Sequence, residues 1–150
     1  MIKILFICHG NICRSPMAEC ILKKLVKDAG REKEFYIDSA ATSYEEYQNP
    51  IYSAARDILQ RHDIPVAKHY ARVIEKKDYA AFDLIIGMEQ INIRNMLRIF
   101  GGDPEGKIHL LMDFTETPGE VDDPWYSRRF EEVYQQIYRG CRGLLEKYNA

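Results

Sequence analysis

A chain of 150 residues with 46% hydrophobic and 29% charged side chains has an ordinary globular composition, and one domain spanning 1–150 is the simplest expectation. The formal net charge of -2 excludes the broad positive surface that nucleic acid or an anionic membrane attracts, so any anion preference has to be local. No apolar run approaches the ~20 residues of a membrane span, and residue 1 leads straight into a strand pattern without a signal-peptide pattern, so a cytoplasmic chain is expected.

The apolar run 2–7 predicts a buried strand, and Cys8-His9-Gly10-Asn11-Ile12-Cys13-Arg14-Ser15 follows it as a short polar loop. Ser15-Pro16 reads as an N-cap and N1 pair, after which Met17, Cys20, Ile21, Leu22 and Leu25 keep helical spacing until Gly30. A second strand is expected over 34–38, and 39–50 reads as a surface loop carrying two tyrosines. Helices are expected over 51–62 and 75–81, and Leu84-Ile85-Ile86-Gly87 has the two-sided apolarity of a buried parallel strand. Apolar residues at 91, 93, 96, 97 and 100 predict a helix over 89–100 that Gly101-Gly102 stops. A last strand over 107–112 and a polar loop over 113–126 precede a final helix over 127–148, with Phe130, Val133, Ile137, Cys141, Leu144 and Leu145 on one side.

Alternating strands and helices predict an α/β fold: a three-layer sandwich with a central four-stranded parallel sheet, helices on both faces and a phosphate-binding loop after the first strand. Ligands of such sheets bind beyond the carboxyl ends of the strands, and Cys8 stands at such an end. Loop N–H groups and the positive end of the next helix can converge on a phosphate dianion there. Arg14 adds a planar fork of donors that matches two phosphate oxygens, and Cys8 is placed for its sulfur to reach phosphorus.

The run Cys8 to Pro16, with Ala18-Glu19 after it, resembles the signature loop of the low-molecular-weight protein tyrosine phosphatases, and Asp123-Pro124-Trp125 resembles their acid-bearing loop. The resemblance implies Cys8 as nucleophile, Arg14 as phosphoryl binder and Asp123 as general acid, with His9, Gly10, Asn11, Ile12, Cys13, Arg14 and Ser15 cradling phosphate. It further implies a phosphocysteine intermediate, a phosphotyrosyl protein or peptide as substrate, inorganic phosphate as product, and no metal or other cofactor. Pro124 restricts Asp123 to extended backbone, which fixes the direction of its carboxylate. No nucleic-acid or membrane partner is expected, and the chain is expected to be a monomer.

The four cysteines, at 8, 13, 20 and 141, have no Cys-x-x-Cys spacing and form no zinc pattern with the histidines, so reduced thiols are expected. Cys13 reads either as packing under the loop or, as the resemblance implies, as a thiol that forms a reversible disulfide with Cys8; Cys20 and Cys141 read as core. Asn11 and Ser15 suit a loop that turns its amides inward, and Asp38, His69 and Asp83 look like the family's polar support around it. His62 is expected to face solvent and His109 to be structural. Ile12, Tyr44, Tyr47, Trp125 and Tyr126 are the expected crevice for a flat ring, although 39–43 lacks a glycine and a wall tryptophan common in the family is missing. Arsenate reduction, phosphoarginine hydrolysis and a non-hydrolytic phosphate-binding protein are the alternatives; bulky Ile12 speaks against phosphoarginine, and Cys20 and Cys141 form no close redox pair in sequence.

Overall fold

The computed structural model describes residues 1–149. Strands β1 (Ile2–Cys8), β2 (Phe35–Ala41), β3 (Leu84–Gly87) and β4 (Ile108–Leu110) form one parallel sheet in the order β2-β1-β3-β4. Helices α1 (Arg14–Asp28), α2 (Ser53–Arg61), α3 (Lys77–Ala81), α4 (Gln90–Phe100), α5 (Pro124–Ser127) and α6 (Phe130–Lys147) surround it.

The period-2 alternation of β1 divides the core. Ile4, Phe6 and Cys8 join the apolar residues of α1, α2 and α6, including Ile21, Leu59 and Ile137. Leu5 and Ile7 point the other way, into a smaller cluster with Phe82 and with Met96 of α4. Every residue from Ile4 to Ile7 is fully buried, as a central parallel strand covered on both faces requires. Cys8 therefore emerges on the α1 side, where the chain turns directly into that helix.

The chain runs from β1 to β2 on one side and reaches β3 on the other, so the sheet order reverses at β1. The crevice beyond the ends of β1 and β3 is the topological switch point of the sheet. The loop 9–13 and Met88-Glu89 open onto it from these two strands.

Several elements differ from the sequence expectation for identifiable reasons. Strand β2 continues through Ser39, Ala40 and Ala41, small residues of weak strand preference that pair with Phe6, Ile7 and Cys8 of the buried β1. Strand β4 stops at Leu110, because Leu111–Phe114 tightens into a 3₁₀ turn against α6. Gly143 permits that approach, since a Cβ there would overlap the Phe114 carbonyl. The expected last helix starts three residues later, as α6, and the end of the expected loop forms the short helix α5; the two are separated at Arg128, whose φ is +60°. Among the described residues, no helix is long and apolar enough to cross a membrane.

Candidate active site

The loop between β1 and α1 wraps around one sulfur. The Asn11 N–H donates to Cys8 Sγ at 3.3 Å, and Ser15 Oγ lies 3.0 Å from the same atom. Ser15 is thereby removed from the capping role expected of it. Cys13 occupies the N-cap without a side-chain cap bond, and Ser15 sits inside the first turn with its hydroxyl turned to the sulfur.

Asn11 holds this shape from below. Its φ of +59° is left-handed backbone, which Asn tolerates better than most side chains. All its remaining polar groups are used: Nδ2 donates to Ser15 Oγ at 2.9 Å, Oδ1 accepts from the Arg72 N–H at 3.1 Å, and the carbonyl accepts from His69 Nε2 at 2.7 Å. That last bond places a proton on His69 Nε2. Asp38 acts one step further away, pairing with the Arg72 guanidinium at 3.1 Å, which also meets Asp78. Asp83 does not belong to this network. It immediately precedes β3, at the opposite end of the sheet, where Oδ2 accepts from the Lys3 N–H, because strand direction puts residue 83 a full strand length from the loop.

Arg14 is buried to 3% exposure, with Nη1 donating to the Val121 carbonyl at 2.9 Å and Nη2 paired with Glu89 at 2.6 Å and Asp123 at 3.5 Å. Burial alone disfavours its charge, but the negative charge of a Cys8 thiolate, Glu89 and Asp123 outweigh that, and its pKa rises. Burial likewise pushes the Cys13 thiol up, with Cys8 and Asp123 adding to the effect against Arg14. Cys20 is raised to about 11 by burial and by Glu19, against a backbone bond from Ala67 and Lys23, and Cys141 is raised by burial.

Glu89 carries no local signal in the sequence, yet its position follows from the switch point. Asn92 Oδ1 accepts from the N–H groups of Met88 and Glu89 at 3.0 and 2.9 Å, which fixes the start of α4. A carboxylate at the end of the strand beside β1 was the findable clue.

Asp123 caps α5 by accepting from the Trp125 N–H at 3.0 Å, and Pro124 follows at N1. Tyr52 fastens this segment to the loop. Its N–H donates to the Ile12 carbonyl at 2.7 Å, its ring lies 5.0 Å from Trp125, and its hydroxyl accepts from Arg128 at 2.9 Å.

A cavity of about 280 Å³ results, lined by Cys8, His9, Gly10, Ile12, Cys13, Arg14, Glu45, Glu46, Asp123, Trp125 and Tyr126. Trp125, Tyr126 and Ile12 are thus where the sequence placed them. Tyr44 and Tyr47 are not in the lining: they stack edge-to-face on each other at 5.8 Å, and the intervening Glu45 and Glu46 supply that wall. A larger hollow of about 960 Å³ lies between 109–117 and α6, away from all these groups. His109 packs edge-on against Phe114 there, whereas His62, expected in solvent, stacks on Tyr134 at 3.9 Å and bonds Glu131. Among the described residues, no group of three or more His, Cys, Asp and Glu is placed to hold a metal ion.

The family model for "Low molecular weight phosphotyrosine protein phosphatase" matches residues 3–150. The chain belongs to that family. It is 42% identical to the human low molecular weight phosphotyrosine protein phosphatase over 150 residues, covering 97% of this chain and 94% of that protein. The crystal structure of YfkJ from Bacillus subtilis superposes with a TM-score of 0.94 at 38% identity, over 98% of this chain and 94% of that one. A low molecular weight protein tyrosine phosphatase from Streptococcus pyogenes gives 0.89 at 38% identity, over 100% and 95%. These structures match the fold of this chain, with its four-stranded parallel sheet, over nearly its whole length.

Proposed function

We propose that this chain is a cysteine-dependent, metal-independent phosphatase that hydrolyses phosphotyrosine in proteins or peptides and releases inorganic phosphate, acting as a cytoplasmic, monomeric domain over 1–150. The observation that carries this reading is the convergence of a buried sulfur, an inward N–H, a buried guanidinium and a carboxylate on one small cavity. Phosphoryl transfer asks the protein mainly to position groups and hold charge, which is what this loop can do. His9, Gly10, Asn11, Ile12, Cys13, Arg14 and Ser15 cradle the phosphoryl oxygens.

In the first step the Cys8 thiolate attacks phosphorus in line, an S–P bond forms, and the P–O bond to the tyrosyl oxygen breaks as Asp123 gives that oxygen its proton. In the second step water attacks phosphorus, Asp123 takes its proton, and the S–P bond breaks to release phosphate. A phenol leaving with a pKa of about 10 needs that acid, which typically contributes 10²–10⁴-fold. Asp123 lies against Arg14 at 3.5 Å, so an arriving dianion takes over the guanidinium and leaves the carboxylate facing the leaving group. Trp125, Tyr126 and Ile12 supply apolar walls for the ring.

Cys13 shares the cavity lining with Cys8. Peroxide would convert Cys8 to a sulfenic acid, and Cys13 would displace water from it to give a disulfide that thiols reverse. Cys13→Ala should then lose reactivation by thiol after peroxide treatment; full recovery would remove this role. Cys20 and Cys141 are buried in helix packing, Cys141 donating towards the Ala18 carbonyl at 3.6 Å, which disfavours arsenate reduction through them.

A panel of phosphotyrosine, phosphoserine, phosphoarginine and arsenate, with Cys8→Ser as control, tests the reading. Phosphotyrosine should be turned over fastest and Cys8→Ser should bind phosphate without turnover. An active Cys8→Ser protein, or phosphoarginine as the best substrate, overturns it.

A further inference from the structure

Carboxylates outnumber arginines in the lining of the cavity. Glu45 and Glu46 line it on one side, and Asp123 stands on the other at the head of the aromatic wall. Glu46 is half-buried against the phosphate loop, and Glu45 beside it is exposed. Glu46 lays its stem on Gly10, where a Cβ would come within 3.2 Å of its Cγ, and its carboxylate accepts from Asn49 Nδ2 at 2.6 Å. Glu45 meets His9 Nε2 at 3.0 Å.

The arginines and the histidine at the mouth already have partners. Arg14 lies at the base with Glu89 and Asp123, and His9 is taken by Glu45. Arg128 donates to Tyr52 and lies 5.6 Å over the Trp125 ring. Trp125 and Tyr126 of the lining are exposed, the latter at 84%, and so are Tyr44 and Tyr47, which flank Glu45 and Glu46 in the chain. Exposed aromatic faces beside carboxylates form a surface for Lys or Arg side chains, which gain both ion pairing and cation–π contact.

From this rim we infer that the enzyme selects phosphotyrosyl segments with Lys or Arg next to the phosphotyrosine and rejects those with Asp or Glu there. This inference rests on the phosphotyrosine reading above and adds the class of neighbouring residue. Glu45 and Glu46 are its specificity-determining residues, acting on the residues that flank the phosphotyrosine while Cys8, Arg14 and Asp123 act on the phosphate. The same carboxylates explain how an acidic rim coexists with an anion site: the cradle's donors lie at the base, and the negative charges lie above, at the level of the peptide backbone.

The test is kcat/KM for two peptides that differ only in the residues flanking phosphotyrosine, Lys in one and Glu in the other. The ratio within one protein cancels any change in the chemical step. The wild type should favour the Lys peptide by about tenfold at low salt, and the preference should shrink as ionic strength rises. It should fall to within about twofold in Glu45→Gln/Glu46→Gln and reverse in Glu45→Lys/Glu46→Lys. Equal or opposite preference in the wild type, or a ratio that the double Gln variant leaves unchanged, overturns the inference while leaving the phosphatase reading standing. Failure to turn over either peptide overturns the phosphotyrosine reading itself.

Discussion

The underside of the phosphate loop and the rim of the cavity above it are built on opposite terms. Below the loop, Asn11 is fully buried with every polar group bonded, and Arg14 is held at both ends of its guanidinium. At the rim, Tyr44 and Tyr47 rest on each other and Glu45 pairs with a half-exposed histidine. The underside has one arrangement available and fixes the chemistry. The rim is exposed, so its residues can change without disturbing the loop, and it selects what enters.

The largest break in this comparison should come from Asn11→Ala. It takes one of two partners from the Ser15 hydroxyl and leaves the Arg72 N–H below the loop without its acceptor, the latter costing ~1–3 kcal/mol, so both melting temperature and kcat should fall. A loss of about 100-fold in kcat on p-nitrophenyl phosphate is expected, the scale of losing a preorganised donor. A loss under threefold would place the loop's shape elsewhere.

Glu89→Gln should act next. It keeps the size of the side chain but removes the charge that orients Arg14, so kcat should fall about tenfold while inorganic phosphate binds no more weakly. Weaker phosphate binding with unchanged kcat would contradict an orienting role. Tyr52→Phe deletes only the hydroxyl that accepts from Arg128, a bond worth ~1 kcal/mol, so about fivefold should be lost on phenyl phosphate and little on p-nitrophenyl phosphate. Equal losses on both esters would mean that Tyr52 does not position the acid. Tyr44→Ala, at the exposed rim, should change kcat on either ester by less than about twofold.

The sequence is legible where local chemistry decides structure. Strand β3 is read residue for residue, because four apolar residues between polar neighbours allow little else in an alternating α/β chain. Cys8, Arg14 and Asp123 are brought to one cavity as their motifs implied. What escaped depends on neighbours distant in sequence. β2 outruns its own propensity because β1 pairs with it, and Ser15 abandons its cap because a sulfur seven residues earlier takes its hydroxyl. Asp83 and Glu89 lie at opposite ends of the same short strand, and only strand direction tells which one reaches the site. The choice between Tyr44 and Glu45 is set by loop geometry that no periodicity records.

The central claim is that Cys8 carries the phosphoryl group between two steps that Asp123 serves in turn. Rapid quench of Asp123→Ala with p-nitrophenyl phosphate, followed by mass analysis of the peptide containing Cys8, tests it most directly. An ester with a good leaving group needs no acid in the first step, whereas hydrolysis of the intermediate lacks its base, so one phosphoryl group should accumulate on Cys8 and decay with the turnover rate. Label on another residue, or turnover with no phosphorylated enzyme at any time, would contradict the account.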